Sequence, residues 1–176
     1  GHLIVAQAVL EALDLEQIRF VPAREQPFKT GRHVAPAETR ARMVSLAIAG
    51  EPRFALERIE LDRSGPSYTV DTLRALRQRE SGREFAILIG ADAAQDLPAW
   101  READALPRLA TLVIVSRPGA GVPELPWPAR VVSVPGLDIS ATEIRRRVAE
   151  GRSIRYWVPD PVAECIVQGG LYLRDA

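Results

Sequence analysis

Phe85-Ala86-Ile87-Leu88-Ile89-Gly90 and Thr111-Leu112-Val113-Ile114-Val115 are two unbroken apolar runs. Strands of a parallel sheet covered on both faces produce continuous runs of this kind, whereas half-exposed strands alternate. The two runs therefore predict the centre of a sheet. Glu102 to Leu109 between them reads as a helix, and Gly119 to Pro128 as a Pro/Gly-rich surface loop. Upstream, residues 3–13 carry apolar side chains on most helical faces. Ile18 to Pro22 reads as a short strand and Ala23 to Val34 as a polar loop. Pro36-Ala37-Glu38 opens a helix that runs to about Ala49, where Gly50 and Pro52 stop it. Phe54 to Leu61 reads as an alternating strand, Asp62 to Pro66 as a turn and Val70–Arg79 as a helix. Downstream, Arg130 to Val134 makes a last strand, Ser140 opens a helix to about Glu150, and Pro161 to Gln168 makes a final short one. Strands alternating with helices mean an α/β domain with a mainly parallel sheet, and ligands in such sheets sit beyond the strand C-terminal ends.

The 176 residues fit one domain, 1–176, with no internal repeat. Hydrophobic residues at 47% and charged residues at 26% describe an ordinary globular chain. The 23 basic and 23 acidic residues balance, so no global field favours nucleic acid or an anionic membrane, and any anion site must be local. Cys165 is the single cysteine, which excludes an intramolecular disulfide. No apolar run reaches the ~20 residues of a spanning helix. A cytoplasmic enzyme is expected, with a homo-oligomer left open. The chain opens on Gly1-His2-Leu3-Ile4-Val5, already helix-like, with neither initiator Met nor signal layout, which reads as residues missing upstream.

Ile139-Ser140-Ala141-Thr142-Glu143-Ile144-Arg145 combines a Ser N-cap, a Glu three residues later and an Arg on the first turns of a helix. Such a segment can cradle an anion: free backbone N–H groups and the positive end of the helix dipole face a phosphate, hydroxyls add donors and Arg145 adds charge. Equally, it can be a plain capping box with Arg145, Arg146 and Arg147 on a solvated face. Asp92, just past a buried strand, can accept from ribose hydroxyls or cap the next helix. Trp100 can offer a flat face to an electron-poor pyridinium or sit half-buried in the core. Thr69, at a helix start, can hold a carboxylate through its N–H and hydroxyl or cap its own helix. Lys29 lies in a polar loop. His33 and Cys165 attract no role.

ISATEIR resembles the ISxTxIR signature of nucleotidyltransferases that bind ATP phosphates at this helix. Gly1-His2 resembles the second half of their HxGH motif, at the start of the first helix, which holds the triphosphate. The strand, the glycine-rich turn and the first His that precede it in the family have no counterpart here. Within that superfamily the chain is similar over nearly its whole length to bacterial nicotinate mononucleotide adenylyltransferase. Four stretches carry the similarity: Val21-Pro22 through Gln26-Pro27-Phe28-Lys29, with Phe28 where a His is usual; Ser67-Tyr68-Thr69-Val70-Asp71-Thr72-Leu73; Gly90-Ala91-Asp92 with Trp100 following; and Ser116-Arg117-Pro118-Gly119.

The resemblance implies a Rossmann-like fold of the nucleotidyltransferase type, with helices on both faces of the sheet and the first strand missing. It also implies adenylyl transfer from ATP to nicotinate mononucleotide, by direct in-line attack and with no covalent enzyme intermediate. His2, Lys29 and Arg145 would be catalytic. Gly1, His2, Gly90, Asp92, Ile139, Ser140, Thr142 and Arg145 would bind ATP, and Lys29, Tyr68, Thr69, Asp92, Trp100 and Arg117 the mononucleotide. Mg2+ would bridge ATP oxygens, held mainly by phosphates and water rather than by protein ligands. No GK[ST] phosphate loop occurs, which argues against the other common way of holding ATP. A sister enzyme acting on phosphopantetheine shares the first two motifs but lacks the pairing of Tyr68-Thr69 with Trp100. A nucleotide-binding domain that has lost turnover is the rival from a different class, and a chain truly starting at Gly1 would favour it.

Overall fold

The computed structural model of the chain describes residues 1–25, 35–117, 119 and 121–173. They group into two compact units, Gly1–Leu3 with Leu15–Pro66 and Leu137–Ala176, and Ile4–Asp14 with Ser67–Gly136. Every strand pairing among the described residues is parallel, and helices flank the sheets.

In the first unit, β1 (Ile18–Phe20) pairs with β2 (Phe54–Leu56), Ile18 opposite Phe54 and Phe20 opposite Leu56. Parallel neighbours need a crossover, and α2 (Ala37–Ile48) supplies it. Pro36 precedes its first turn and Glu38 lies within it, which suits the positive end of the helix. The rings of Phe20 and Phe54 meet edge to face at 5.3 Å. β2 stops five residues short of the strand expected to reach Leu61. The alternation slips: Phe54 and Leu56 share one parity, Ile59 and Leu61 the other, so one continuous strand would turn half of them outward. The chain turns instead, with the Leu61 and Asp62 N–H groups donating to the Arg58 carbonyl and the Ile59 N–H donating to the Glu57 carboxylate. α6 (Ala141–Ala149) and α7 (Asp160–Gln168) complete this unit around Ile154, Val162 and Ile166, packed by Met43, Leu46 and Trp157.

The second unit holds most of α1 (His2–Ala12), whose first two residues belong to the first unit. It also holds α3 (Thr69–Arg79) and a sheet ordered β3 (Ala86–Gly90), β4 (Thr111–Ser116), β5 (Arg130–Ser133). β4, bonded on both sides, is buried from Leu112 to Ser116. β3 departs from the expectation of burial on both faces: only Ile89 is buried, because among the described residues β4 is its one hydrogen-bonded neighbour. The core joins Val70 and Leu73 of α3 to Leu97, Leu106, Leu112 and Ile114. α4 (Ala91–Ala94) and a 3-10 turn at Leu97–Ala99 follow β3; neither carries enough residues to show a period in the sequence. The helix expected over 102–109 is broken into a 3-10 turn, Ala103–Ala105, and α5 (Leu106–Leu109). Glu102, expected to open it, has φ +50, a left-handed conformation that cannot belong to the helix.

Candidate active site

Ser140 takes an extended backbone (φ −124, ψ 151) before α6, and its Oγ accepts the Glu143 N–H at 3.1 Å. That is half of a capping box. The other half is absent, because the Glu143 carboxylate turns away and accepts two hydrogen bonds from Arg146, each 2.8 Å. This ion pair holds the Glu143 carboxyl below its ordinary range, the hydrogen bond from Arg146 being the main cause. The N–H groups of Ala141 and Thr142 remain without an intrachain partner among the described residues, both residues being exposed. They point out of the positive end of a nine-residue helix. At the other end the helix is closed by Gly151 (φ +67), with Gly151 N–H on the Val148 carbonyl and Arg152 N–H on that of Arg147. Only glycine takes that left-handed position without strain.

The three consecutive arginines divide by partner. Arg146 bridges Glu143 and Glu150. Arg147 stacks over Trp157 at 4.6 Å and donates to the Ser153 carbonyl. Arg145, half-buried, donates to Thr142 Oγ1 at 3.2 Å and pairs with no carboxylate among the described residues. A guanidinium so placed keeps its full charge and most of its donors for an incoming anion. The start of α1 belongs to the same unit: a side chain at Gly1 would place its Cβ 3.5 Å from the Ile139 carbonyl oxygen, so the chain passes close to the first residue of ISATEIR. His2 is the exposed first residue of α1. Lys29 and Phe28 lie outside the described residues.

In the second unit, Gly90 ends β3 and stands as N-cap of α4. Asp92 is therefore not a cap: it lies in the first turn, exposed, where the helix dipole favours a carboxylate. Tyr68 is the N-cap of α3 and caps with backbone only, leaving Thr69 as the first helical residue. Thr69 does not cap its helix, and the Thr72 hydroxyl donates to the Tyr68 carbonyl at 3.3 Å. Tyr68 and Trp100 are half-buried and pack on the same core of Val70, Leu73 and Leu97. Arg101 was not singled out by the sequence. Its guanidinium lies 4.6 Å over the Tyr68 ring, and only its position beside Trp100 hints at that. Arg117 is exposed at the end of β4. Among the described residues no group of three or more His, Cys, Asp and Glu is placed to hold a metal ion, and no helix is long and apolar enough to cross a membrane.

The Cytidylyltransferase-like family model matches residues 1–147. A probable nicotinate-nucleotide adenylyltransferase of Thermus thermophilus is 50% identical over 172 residues, covering 98% of this chain and 91% of the relative. Its counterpart in Geobacillus thermodenitrificans is 49% identical, covering 98% and 79%. Among solved structures, the Plasmodium falciparum nicotinic acid mononucleotide adenylyltransferase complexed with NaAD superposes with a TM-score of 0.76 at 18% identity, over 97% of this chain and 88% of that one. The likeness of fold and the identity over nearly the whole chain agree: the chain belongs to the nicotinate-nucleotide adenylyltransferase family.

Proposed function

We propose that this chain transfers the adenylyl group of ATP to nicotinate mononucleotide. The observation that carries the reading is Arg145, free of any carboxylate partner among the described residues, beside the open N–H groups at the start of α6. A phosphate oxygen of the mononucleotide attacks the α-phosphorus of ATP. The new P–O bond forms as the bond from that phosphorus to the β-phosphate oxygen breaks, giving deamido-NAD and pyrophosphate. No side chain bonds to phosphorus. The protein's part is to position two polyanions and to neutralise the charge that grows on the phosphoryl oxygens.

In this reading Arg145, His2 and Lys29 meet that charge, and Ser140 and Thr142 hold and shape the helix end that receives the triphosphate. Gly1 and Ile139 allow the chain to pass close to it. Gly90 and Asp92 receive the adenosine side, Asp92 accepting from ribose hydroxyls. Tyr68, Thr69, Trp100, Asp92 and Arg117 receive the mononucleotide. Both compact units count as one catalytic domain, working in the cytoplasm on soluble nucleotides. Magnesium enters as the ATP complex, coordinated by phosphate oxygens and water, which asks for no protein cage.

Incubating the protein with ATP and nicotinate mononucleotide, and following deamido-NAD by mass and pyrophosphate by a coupled assay, tests the proposal. Equimolar formation of both is expected, lost with excess EDTA and restored by Mg2+. Turnover indifferent to EDTA would remove the metal from the scheme. Adenylylation of phosphopantetheine instead, or ATP binding without turnover, would remove the proposal itself.

A further inference from the structure

Glu102 takes its left-handed backbone (φ +50) directly after Trp100 and Arg101, in a bend where the Trp100 N–H donates to the Leu97 carbonyl and the Ala103 N–H to that of Trp100. A residue with a side chain is strained in that conformation and keeps it where its surroundings hold it. Here α3 supplies the hold. Arg74 Nη1 donates to Glu102 Oε1 at 3.1 Å and Nη2 to Oε2 at 2.5 Å, a two-pronged pair between residues 28 positions apart. One turn earlier on the same helix, the Asp71 carboxylate lies 3.9 Å from Arg74 and 3.9 Å from Arg101. The Arg101 guanidinium lies 4.0 Å from Glu102 and 4.6 Å over the ring of Tyr68, the N-cap of α3. Asp71, Arg74, Glu102 and Arg101 thus alternate in sign around a closed ring, which fastens the bend at 100–102 to the first turns of α3. The hydrogen bond from Arg74 is the main cause that holds the Glu102 carboxyl below its ordinary range, so the ring is fully charged at neutral pH.

We propose that Arg74 is a positioning residue for the mononucleotide: through Glu102 it fixes where Trp100 stands relative to Tyr68 and Thr69 at the start of α3. The inference rests on the reading of Tyr68, Thr69 and Trp100 given above, which draws one subsite from two separate segments of the chain. The charge of Arg74 is met by Glu102 and Asp71, so it acts through the protein rather than on a phosphate. Arginine suits the task because a rigid planar fork matches both oxygens of a carboxylate, which an ammonium cannot do. A lone exposed ion pair contributes little, but a two-pronged pair inside a network is the exception. With the bend already fastened before substrate arrives, less ordering is lost on binding.

The test compares wild type with Arg74→Gln, Arg74→Lys, Glu102→Asn, the double variant of Arg74→Gln with Glu102→Asn, and Trp100→Phe. It reads KM for each substrate, kcat, and the Kd of nicotinate mononucleotide by calorimetry, which does not rely on turnover. Asparagine accepts the left-handed bend but is too short and uncharged to take the fork. Either Arg74→Gln or Glu102→Asn should raise the mononucleotide KM and Kd about five-fold, the upper end for an exposed pair, with KM for ATP nearly unchanged. Arg74→Lys should fall between wild type and Arg74→Gln, and with Glu102→Asn it carries the test if Arg74→Gln does not fold. Because both substitutions cut one link, the double variant should also stand at about five-fold, not at the roughly 25-fold that independent effects would multiply to. An unchanged mononucleotide KM in either single variant, a rise of both KM values alike, or a multiplied effect in the double variant overturns the role of Arg74. In each of those cases a raised mononucleotide KM in Trp100→Phe leaves the subsite reading standing. An unchanged mononucleotide KM in Trp100→Phe overturns that reading, and the inference about Arg74 with it.

Discussion

Arg145, Arg146 and Arg147 are adjacent and chemically identical, so what separates them is only what each reaches. Arg146 is neutralised by Glu143 and Glu150, and Arg147 is spread over the Trp157 ring. Arg145 pairs with no carboxylate among the described residues. Removing it costs a charge-assisted phosphate contact, on the order of 1.5–3 kcal/mol, which lowers kcat/KM for ATP roughly 10- to 150-fold. Arg146→Ala, which breaks an exposed and solvent-screened network, should change stability little and leave ATP use alone. Equal losses in the two variants, with helix content intact by circular dichroism, would return Arg145 to a solvated face. His2→Ala is expected to lower kcat more than ATP affinity, since charge on the phosphoryl oxygens grows only toward the transition state. Binding measured by calorimetry beside turnover decides this; equal losses would make His2 a ground-state ligand. Arg145 was singled out in the sequence by its place in ISATEIR, a local pattern. Arg40 and Arg101 were not: Arg40 reaches a carbonyl 17 residues away and Arg101 the ring of Tyr68, 33 positions back in the chain, and no local pattern encodes such contacts.

The ends of helices carry most of the residues proposed for the site, and there the sequence was informative in kind but not in detail. Ser140 caps α6 as its pattern predicts, whereas Glu143 prefers Arg146 to its place in the capping box, a competition between charges that spacing cannot decide. At α3 the cap is the backbone of Tyr68, not the side chain of Thr69, so the first N–H groups and the Thr69 hydroxyl are available together. Donors alone suit a carboxylate. A carboxamide brings its own NH2, and turning its oxygen inward still loses the charged acceptor. An unsatisfied buried donor costs about 1–3 kcal/mol, so nicotinate should be preferred over nicotinamide mononucleotide by roughly ten- to several-hundred-fold. Trp100 packs against the core, so Trp100→Phe is the informative variant. It should weaken both mononucleotides while leaving the ratio of their kcat/KM values largely intact. Equal use of both by wild type would remove the carboxylate from the recognition, and a ratio that collapses in Trp100→Phe would make the indole an orienting group.

At the scale of the whole chain, the parallel α/β architecture was legible from the two apolar runs and the alternation of strands with helices. The weight of burial was not, because how many neighbours a strand has is a property of the sheet: β4 is enclosed and β3 is not. Composition decides one global property directly. All basic residues but Lys29 are arginine, and arginine keeps its charge at any pH a protein survives, so alkaline loss of stability cannot come from discharge of the surface ion pairs. Among the described residues Tyr172 is a group that can contribute to it. Burial pushes its hydroxyl above the ordinary tyrosine range, against the opposing pull of Arg145, Arg40 and the Ala35 backbone. The folded state therefore holds this proton more tightly than the unfolded state. Its contribution is fully present below about pH 10, where an unperturbed tyrosine ionises, and is lost as pH rises through the higher folded value. Urea midpoints across pH 8.5 to 11 should thus fall in wild type and fall less steeply in Tyr172→Phe, which has no proton to lose. Parallel declines in the two proteins would show that the hydroxyl is not the group that titrates. A variant that is less stable already at neutral pH by the same amount throughout would assign Tyr172 to packing around Ala35, with no part in the alkaline transition.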